Sequence, residues 1–189
     1  DLNKRPIEGV NGNTNEQQIL DKLSNHGIRI NTPNQSKYEP SVSVEIWGSG
    51  KPMREFLWSE EMAAACVYVM ENVDFLDLVK IGAINSNNDL DNNRVIENCS
   101  SIEELKENKV EIRNTHINIG TGKEVSIKQL GELVKKTVGF NGSLFFNTEK
   151  PDGTMRKLTD PTKLHKLGWK HIIDIEEGVN KMYSWYSNQ

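Results

Sequence analysis

Two short stretches of this chain combine residue types suited to a phosphorylated ligand that carries a ring. The first, Trp47-Gly48-Ser49-Gly50-Lys51-Pro52-Met53-Arg54-Glu55-Phe56, joins an aromatic face to two cations through a turn whose glycines let backbone approach a ligand closely. Arg54 can meet a diphosphate with two parallel charge-assisted hydrogen bonds. Trp47 can stack a purine or cover a sugar ring. The second, Lys150-Pro151-Asp152-Gly153-Thr154-Met155-Arg156-Lys157, sets three cations and one carboxylate around a Pro-Asp-Gly turn, where phosphate oxygens and a ring hydroxyl are plausible ligands. Each stretch alone also fits a plainer reading. Trp47 could close a strand inside the core with Arg54 paired to Glu55 or Glu60 at the surface, and the second stretch could be an ordinary solvated turn.

Other motifs fail on their chemistry. Gly48-Ser49-Gly50-Lys51 lacks the leading glycine of a phosphate loop and has Pro52 where a magnesium-binding Ser or Thr belongs. Gly120-Thr121-Gly122 begins like a dinucleotide fingerprint, but Val125 stands where the third glycine is required, so a tight strand exit is expected instead. His26, His116, His165 and His171 have no metal-ligand spacing, and no metal site is expected. Cys66 and Cys99 form neither a C-x-x-C pair nor a framework and read as reduced thiols, Cys66 within a packed helical stripe. Asn34, Asn98 and Asn141 match the glycosylation acceptor pattern, which an Asn-rich chain meets by chance, and no role is assigned to them.

The elements that must position the two stretches follow from periodicity. Residues 1–41 are polar and read as a loop or insertion, with a short helix over Ile19 to Leu23. Val42, Val44 and Ile46 alternate with polar neighbours, predicting a half-buried strand that ends at Gly48-Ser49-Gly50. Ser59 is expected to cap a helix with Met62, Cys66, Val69, Met70 and Val73 on its apolar stripe. Residues 85–93 read as a solvated loop inside an insertion at about 74–112, and Ser101 with Glu104 as a capping box. Ile117-Asn118-Ile119 is a strand candidate, and Ser126 with Gln129 a second capping box, opening a helix that Gly139 stops. Leu144-Phe145-Phe146 predicts a short strand, and Asp160-Pro161 opens a short helix that ends at Gly168. Asp174 and Glu177 cap a last helix with Ile175, Val179, Met182 and Tyr186 on one face. The sum is a mixed α/β fold without internal repeat.

A chain of 189 residues can bury a core without disulfides or metal, and one globular unit is the default. The net charge of -4 offers no general attraction to nucleic acid or an anionic membrane, so any anion site must be local. No stretch approaches the roughly 18 to 20 apolar residues of a membrane span, and no signal pattern opens the sequence; a cytoplasmic protein is expected. The chain begins Asp1-Leu2-Asn3 and reads as a portion of something longer.

In order, W-G-S-G-K-P-M-R-E-F-L from Trp47, M-A-A-A from Met62, I-N-I-G-T-G from Ile117, K-P-D-G-T-M-R-K-L from Lys150 and L-G-W from Leu167 resemble the GDP-L-fucose synthases over about residues 42–189. The resemblance implies the substrate-binding, carboxyl-terminal portion of an extended short-chain dehydrogenase, with a few segments belonging to an amino-terminal Rossmann domain. Enzymes of that family epimerise GDP-4-keto-6-deoxy-D-mannose at C3 and C5 and reduce C4 with NADPH. By position, Trp47, Arg54 and Asp152 would belong to the substrate surface and Lys157 would meet phosphate, with Arg156 a weaker candidate. The sequence departs from the family at Trp58-Ser59-Glu60-Glu61, where His-Val-Asp-Asp is commoner. It has no early glycine-rich loop, and no tyrosine is followed four residues later by lysine. NADPH and the catalytic residues are therefore expected on a Rossmann half upstream of Asp1, leaving this chain inactive alone. Exposed apolar surface and self-association, for instance as a homodimer, are expected at the Met62 helix. A free-standing nucleotide-sugar-binding module, and a portion of another sugar-nucleotide epimerase or dehydratase, remain open alternatives.

Overall fold

The computed structural model describes residues 9–31, 41–84 and 90–188. In chain order the elements are α1 (Glu16–Asn25), β1 (Ile28–Asn31), β2 (Ser41–Trp47), β3 (Met53–Arg54), α2 (Ser59–Asn72), α3 (Phe75–Ile84), α4 (Leu90–Asn98), α5 (Ile102–Glu107), β4 (Val125–Ser126), α6 (Ile127–Thr137), β5 (Ser143–Asn147), β6 (Arg156–Lys157), α7 (Thr162–Lys166) and α8 (Ile175–Ser187). This is the mixed α/β fold that the periodicity implies. The chain divides into two compact units, one of 1–54, 125–156 and 183–189, the other of 55–124 and 157–182. Among the described residues no helix is long and apolar enough to cross a membrane.

The first unit is organised on β2. It pairs antiparallel with β1, Ile28 opposite Val44, and parallel with β5, Ile46 opposite Phe146. The expected short helix over Ile19 to Leu23 is longer, spanning α1, and β1 was not expected. Ile28 and Ile30 do alternate with Arg29 and Asn31, but over four residues only, the lower limit of what periodicity resolves, so the strand is secured by its pairing with β2. Between β2 and β5 runs α6, which closes a parallel crossover of the kind that needs a helix. Ser126 Oγ accepts from the Gln129 N–H at 3.1 Å and the Gln129 side chain returns to the Ser126 N–H, the expected capping box. Gly131 lets α6 lie close to the sheet, since a Cβ there would sit 3.2 Å from the Ile46 and Leu144 methyls.

The second unit holds two separate bits of core. The insertion at about 74–112 contains α3, α4 and α5, and Val79, Ile96, Cys99 and Leu105 form a cluster against Leu76, Ile102, Val110 and Ile112. Of the solvated loop expected at 85–93, residues 85–89 lie outside the described ones, and the rest belongs to α4. Elsewhere Ala65 and Leu164 are fully buried.

Four local expectations need correction. Helix α2 begins at Ser59, with Trp58 at the cap position and no side-chain cap. Its buried residues are Glu61 and Ala65, while Met62, Cys66 and Met70 are exposed. The Glu61 carboxylate lies on the buried side instead, its Oε1 accepting from the Ile172 and Ile173 N–H groups. Ile117-Asn118-Ile119 forms no ladder among the described residues and is not a strand. No residue of α8 is buried, and the face expected to pack leaves Met182 and Tyr186 half exposed.

Candidate functional site

The strand β2 delivers Trp47 to the end of the sheet, where its ring is 70% exposed instead of buried in a core. The chain then reverses through Gly48 and Gly50, at φ +85° and +72°, a left-handed region that a Cβ would disfavour. At Gly48 there is a second reason for glycine, because a Cβ would press on Asp152 Oδ1. Beyond the turn β3 lies between β4 and β6 in a small sheet.

The two stretches singled out from sequence are laced together within this first unit. Asp152 accepts from the Ser49 N–H at 2.7 Å with Oδ1 and from the Ser49 hydroxyl at 2.6 Å with Oδ2. The Met53 N–H donates to Met155 O at 2.8 Å. Arg54 Nη1 donates to Met53 O and to Thr154 O, each at 2.7 Å. Lys150 Nζ stands 5.3 Å from the centre of the Trp47 ring, a cation–π contact. Trp47, Arg54 and Asp152 are thus held by one pair of turns. Lys157, in β6, is exposed and belongs to the other unit.

Charges in the site are set by hydrogen bonding. The Ser49 hydroxyl and N–H, with Lys51 nearby, hold the Asp152 carboxyl below its ordinary value. Both of its oxygens are engaged, so Asp152 orders the turn. Arg54 spends Nη1 on the two carbonyls, and its Nε and Nη2 make no hydrogen bond among the described residues. Glu60 accepts from Trp58 Nε1 at 3.1 Å.

Glu55 does something the sequence did not signal. Within the second unit its Oε1 accepts from the Gly122 N–H at 2.6 Å and the Thr121 hydroxyl at 3.1 Å, and its Oε2 from the Thr159 N–H at 3.1 Å. Burial works against the charged form, but the bonds from Thr159, Gly122 and Thr121 outweigh it and keep the carboxyl below its ordinary value. The Gly120-Thr121-Gly122 turn is therefore filled from within. A Cβ at Gly120 would meet the Glu55 carboxylate at 2.7 Å, and one at Gly122 would meet the Pro161 ring at 3.1 Å. A turn that closes on a carboxylate is no cradle for the diphosphate of a dinucleotide. Among the described residues no group of His, Cys, Asp and Glu could hold a metal ion.

The chain is similar to known sugar-nucleotide enzymes. Residues 9–82 match the NAD dependent epimerase/dehydratase family. Within that class the chain is homologous to the GDP-L-fucose synthases and to reductases of other GDP-sugars. It is 38% identical to the GDP-L-fucose synthase of Escherichia coli K12 over 143 residues, 76% of this chain and 36% of that protein. A GDP-6-OMe-4-keto-L-xylo-heptose reductase from C. jejuni superposes with a TM-score of 0.64 at 38% identity, over 93% of this chain and 39% of that one. A GDP-mannoheptose C4 reductase from Campylobacter jejuni, solved with NADP bound, gives 0.63 at 37%, over 92% and 38%. The resemblance read from the motifs and the fold class it implied both stand. The chain spans a little over a third of the length of the relatives it matches.

Proposed function

We propose that this chain provides the GDP-sugar-binding surface of an enzyme of the GDP-L-fucose synthase type, which carries out 3,5-epimerisation and NADPH-dependent 4-reduction of GDP-4-keto-6-deoxy-D-mannose. The observation that carries this reading is the lacing of Trp47-to-Arg54 onto Lys150-to-Met155 by Ser49–Asp152, Met53–Met155 and Arg54–Thr154. It leaves an exposed indole and uncommitted guanidinium donors on the same pair of turns. Trp47 covers a ring of the ligand, Arg54 takes the diphosphate, and Asp152 keeps the turn in shape. The surface is drawn from residues 42–189, with 74–112 as an insertion.

The chemistry divides accordingly. NADPH supplies the hydride when bound to the whole enzyme, and the glycine turn that begins like a dinucleotide fingerprint is closed by Glu55, which speaks against that turn as its seat. No residue of this chain is assigned to catalysis, so its part is to bind and orient substrate for a Rossmann half. Calorimetric titration with GDP tests this, and turnover of the keto sugar by the isolated chain would contradict it.

Trp47→Ala should weaken GDP binding by about 1 kcal/mol, near the low end for an aromatic stack because Lys150 already sits over the ring. Calorimetry with the variant checks this, and unchanged affinity would remove Trp47 from the site. Association is a further part of the reading. Met62, Val67 and Met70 of α2 are 42%, 51% and 84% exposed, an apolar face that suits cover by the Rossmann half. Sedimentation of the isolated chain should show concentration-dependent dimers that Met70→Glu abolishes; a monomer at every concentration would contradict the assignment.

A further inference from the structure

Beside Trp47 lies an open cleft of about 560 Å³, lined among others by Arg29, Glu45, Asn147, Glu149 and Lys150. That volume falls within the roughly 300–1,000 Å³ of small-ligand clefts. Among its carboxylates one is already engaged and one is not. The Glu45 side chain is only 9% exposed and accepts from Arg29 Nη2 at 3.0 Å and from Asn147 Nδ2 at 2.8 Å, so these three build the wall. The Glu149 backbone is fixed by its N–H donating to Asn147 Oδ1 at 3.0 Å, whereas its carboxylate has no partner among the described residues. An acceptor pair thus stands beside an exposed indole.

We propose that this cleft holds the base of the nucleotide and that Glu149 selects guanine, an assignment that rests on the GDP-sugar reading and adds to it. Guanine presents N1–H and its exocyclic amino group side by side on one edge, two donors that match the two oxygens of a carboxylate. Uracil offers a single N–H flanked by two carbonyl oxygens, which a carboxylate repels. The indole stacks on either base and so does not discriminate. The Lys150 ammonium, over the Trp47 ring at 5.3 Å, supplies a cation that suits the acceptor groups of a purine, O6 and N7. Part of the wall comes from the α1–β1 hairpin, in the stretch that composition alone marked as featureless.

The test is calorimetry of the 189-residue chain and its Glu149→Gln variant with GDP, IDP and UDP, IDP being the purine nucleotide that lacks the exocyclic amino group. The wild type should prefer GDP over IDP by about tenfold, as one lost charge-assisted hydrogen bond implies, with UDP weaker still. Glu149→Gln should bring the GDP-to-IDP ratio close to one, while Arg54→Ala weakens both and preserves the ratio. An unchanged ratio in Glu149→Gln, with GDP still bound, overturns the base assignment and leaves the GDP-sugar reading standing. Failure of the wild type to bind GDP overturns both.

Discussion

Arg54→Ala should weaken GDP binding by about 1.5 to 3 kcal/mol, roughly ten- to 150-fold in Kd, because it removes a charged donor from phosphate. The geometry gives a second consequence. Nη1 also ties Met53 O to Thr154 O, so the alanine variant loosens one of the links between the two turns. Arg54→Lys separates the two roles. It keeps the charge but cannot bridge two carbonyls and still present a planar fork, so it should fall between wild type and alanine. Calorimetry reads the affinities, and a thermal melt of each variant verifies the fold. Wild-type affinity in folded Arg54→Ala would remove the guanidinium from the ligand site.

The second large effect concerns Glu55 and stability. Glu55→Ala strands the Gly122 and Thr159 N–H groups, while the Thr121 hydroxyl keeps Lys123 O as an acceptor, at a cost of about 2 to 3 kcal/mol. Glu55→Gln keeps one acceptor and should lose about half as much. The wild-type carboxyl is held below its ordinary value of 4.5 in the folded chain, so the unfolded chain binds the proton more readily. Its stabilising contribution is accordingly complete above that value and disappears as the pH falls through it toward the lower folded value. Thermal melts from pH 7 to pH 3 should show the gap between wild type and Glu55→Gln narrowing with acidity. A gap independent of pH would mean that the Glu55 charge is not what holds the turn.

Such features mark where the sequence is readable and where it stops. The strand ending at Trp47, the capping box at Ser126 and the helix after Pro161 were legible because each depends on neighbours a few residues away. The two ligand-suited stretches were assigned to one surface by the family resemblance, whereas the contact that joins them was not legible, since Ser49 and Asp152 meet only after folding. The same distance in sequence hid Glu55, whose Arg54-Glu55 context suggested a local ion pair while its partners lie at Thr121, Gly122 and Thr159. Helix α2 misled for a related reason. An apolar stripe predicts the buried face only when no buried polar group competes, and Glu61 must stay inside to receive the Ile172 and Ile173 N–H groups. The Ile117 segment has the composition of a strand, but a strand also needs a partner to bond.

The central claim is that this chain binds the nucleotide of a GDP-sugar and leaves the dinucleotide to another domain. Calorimetric titration of the isolated 189-residue chain with GDP, UDP and NADPH, under one buffer and salt, addresses it most directly. Saturable binding of GDP, with UDP much weaker and no heat from NADPH, is the predicted result. Equal affinity for GDP and UDP, or saturable binding of NADPH in place of GDP, would contradict it.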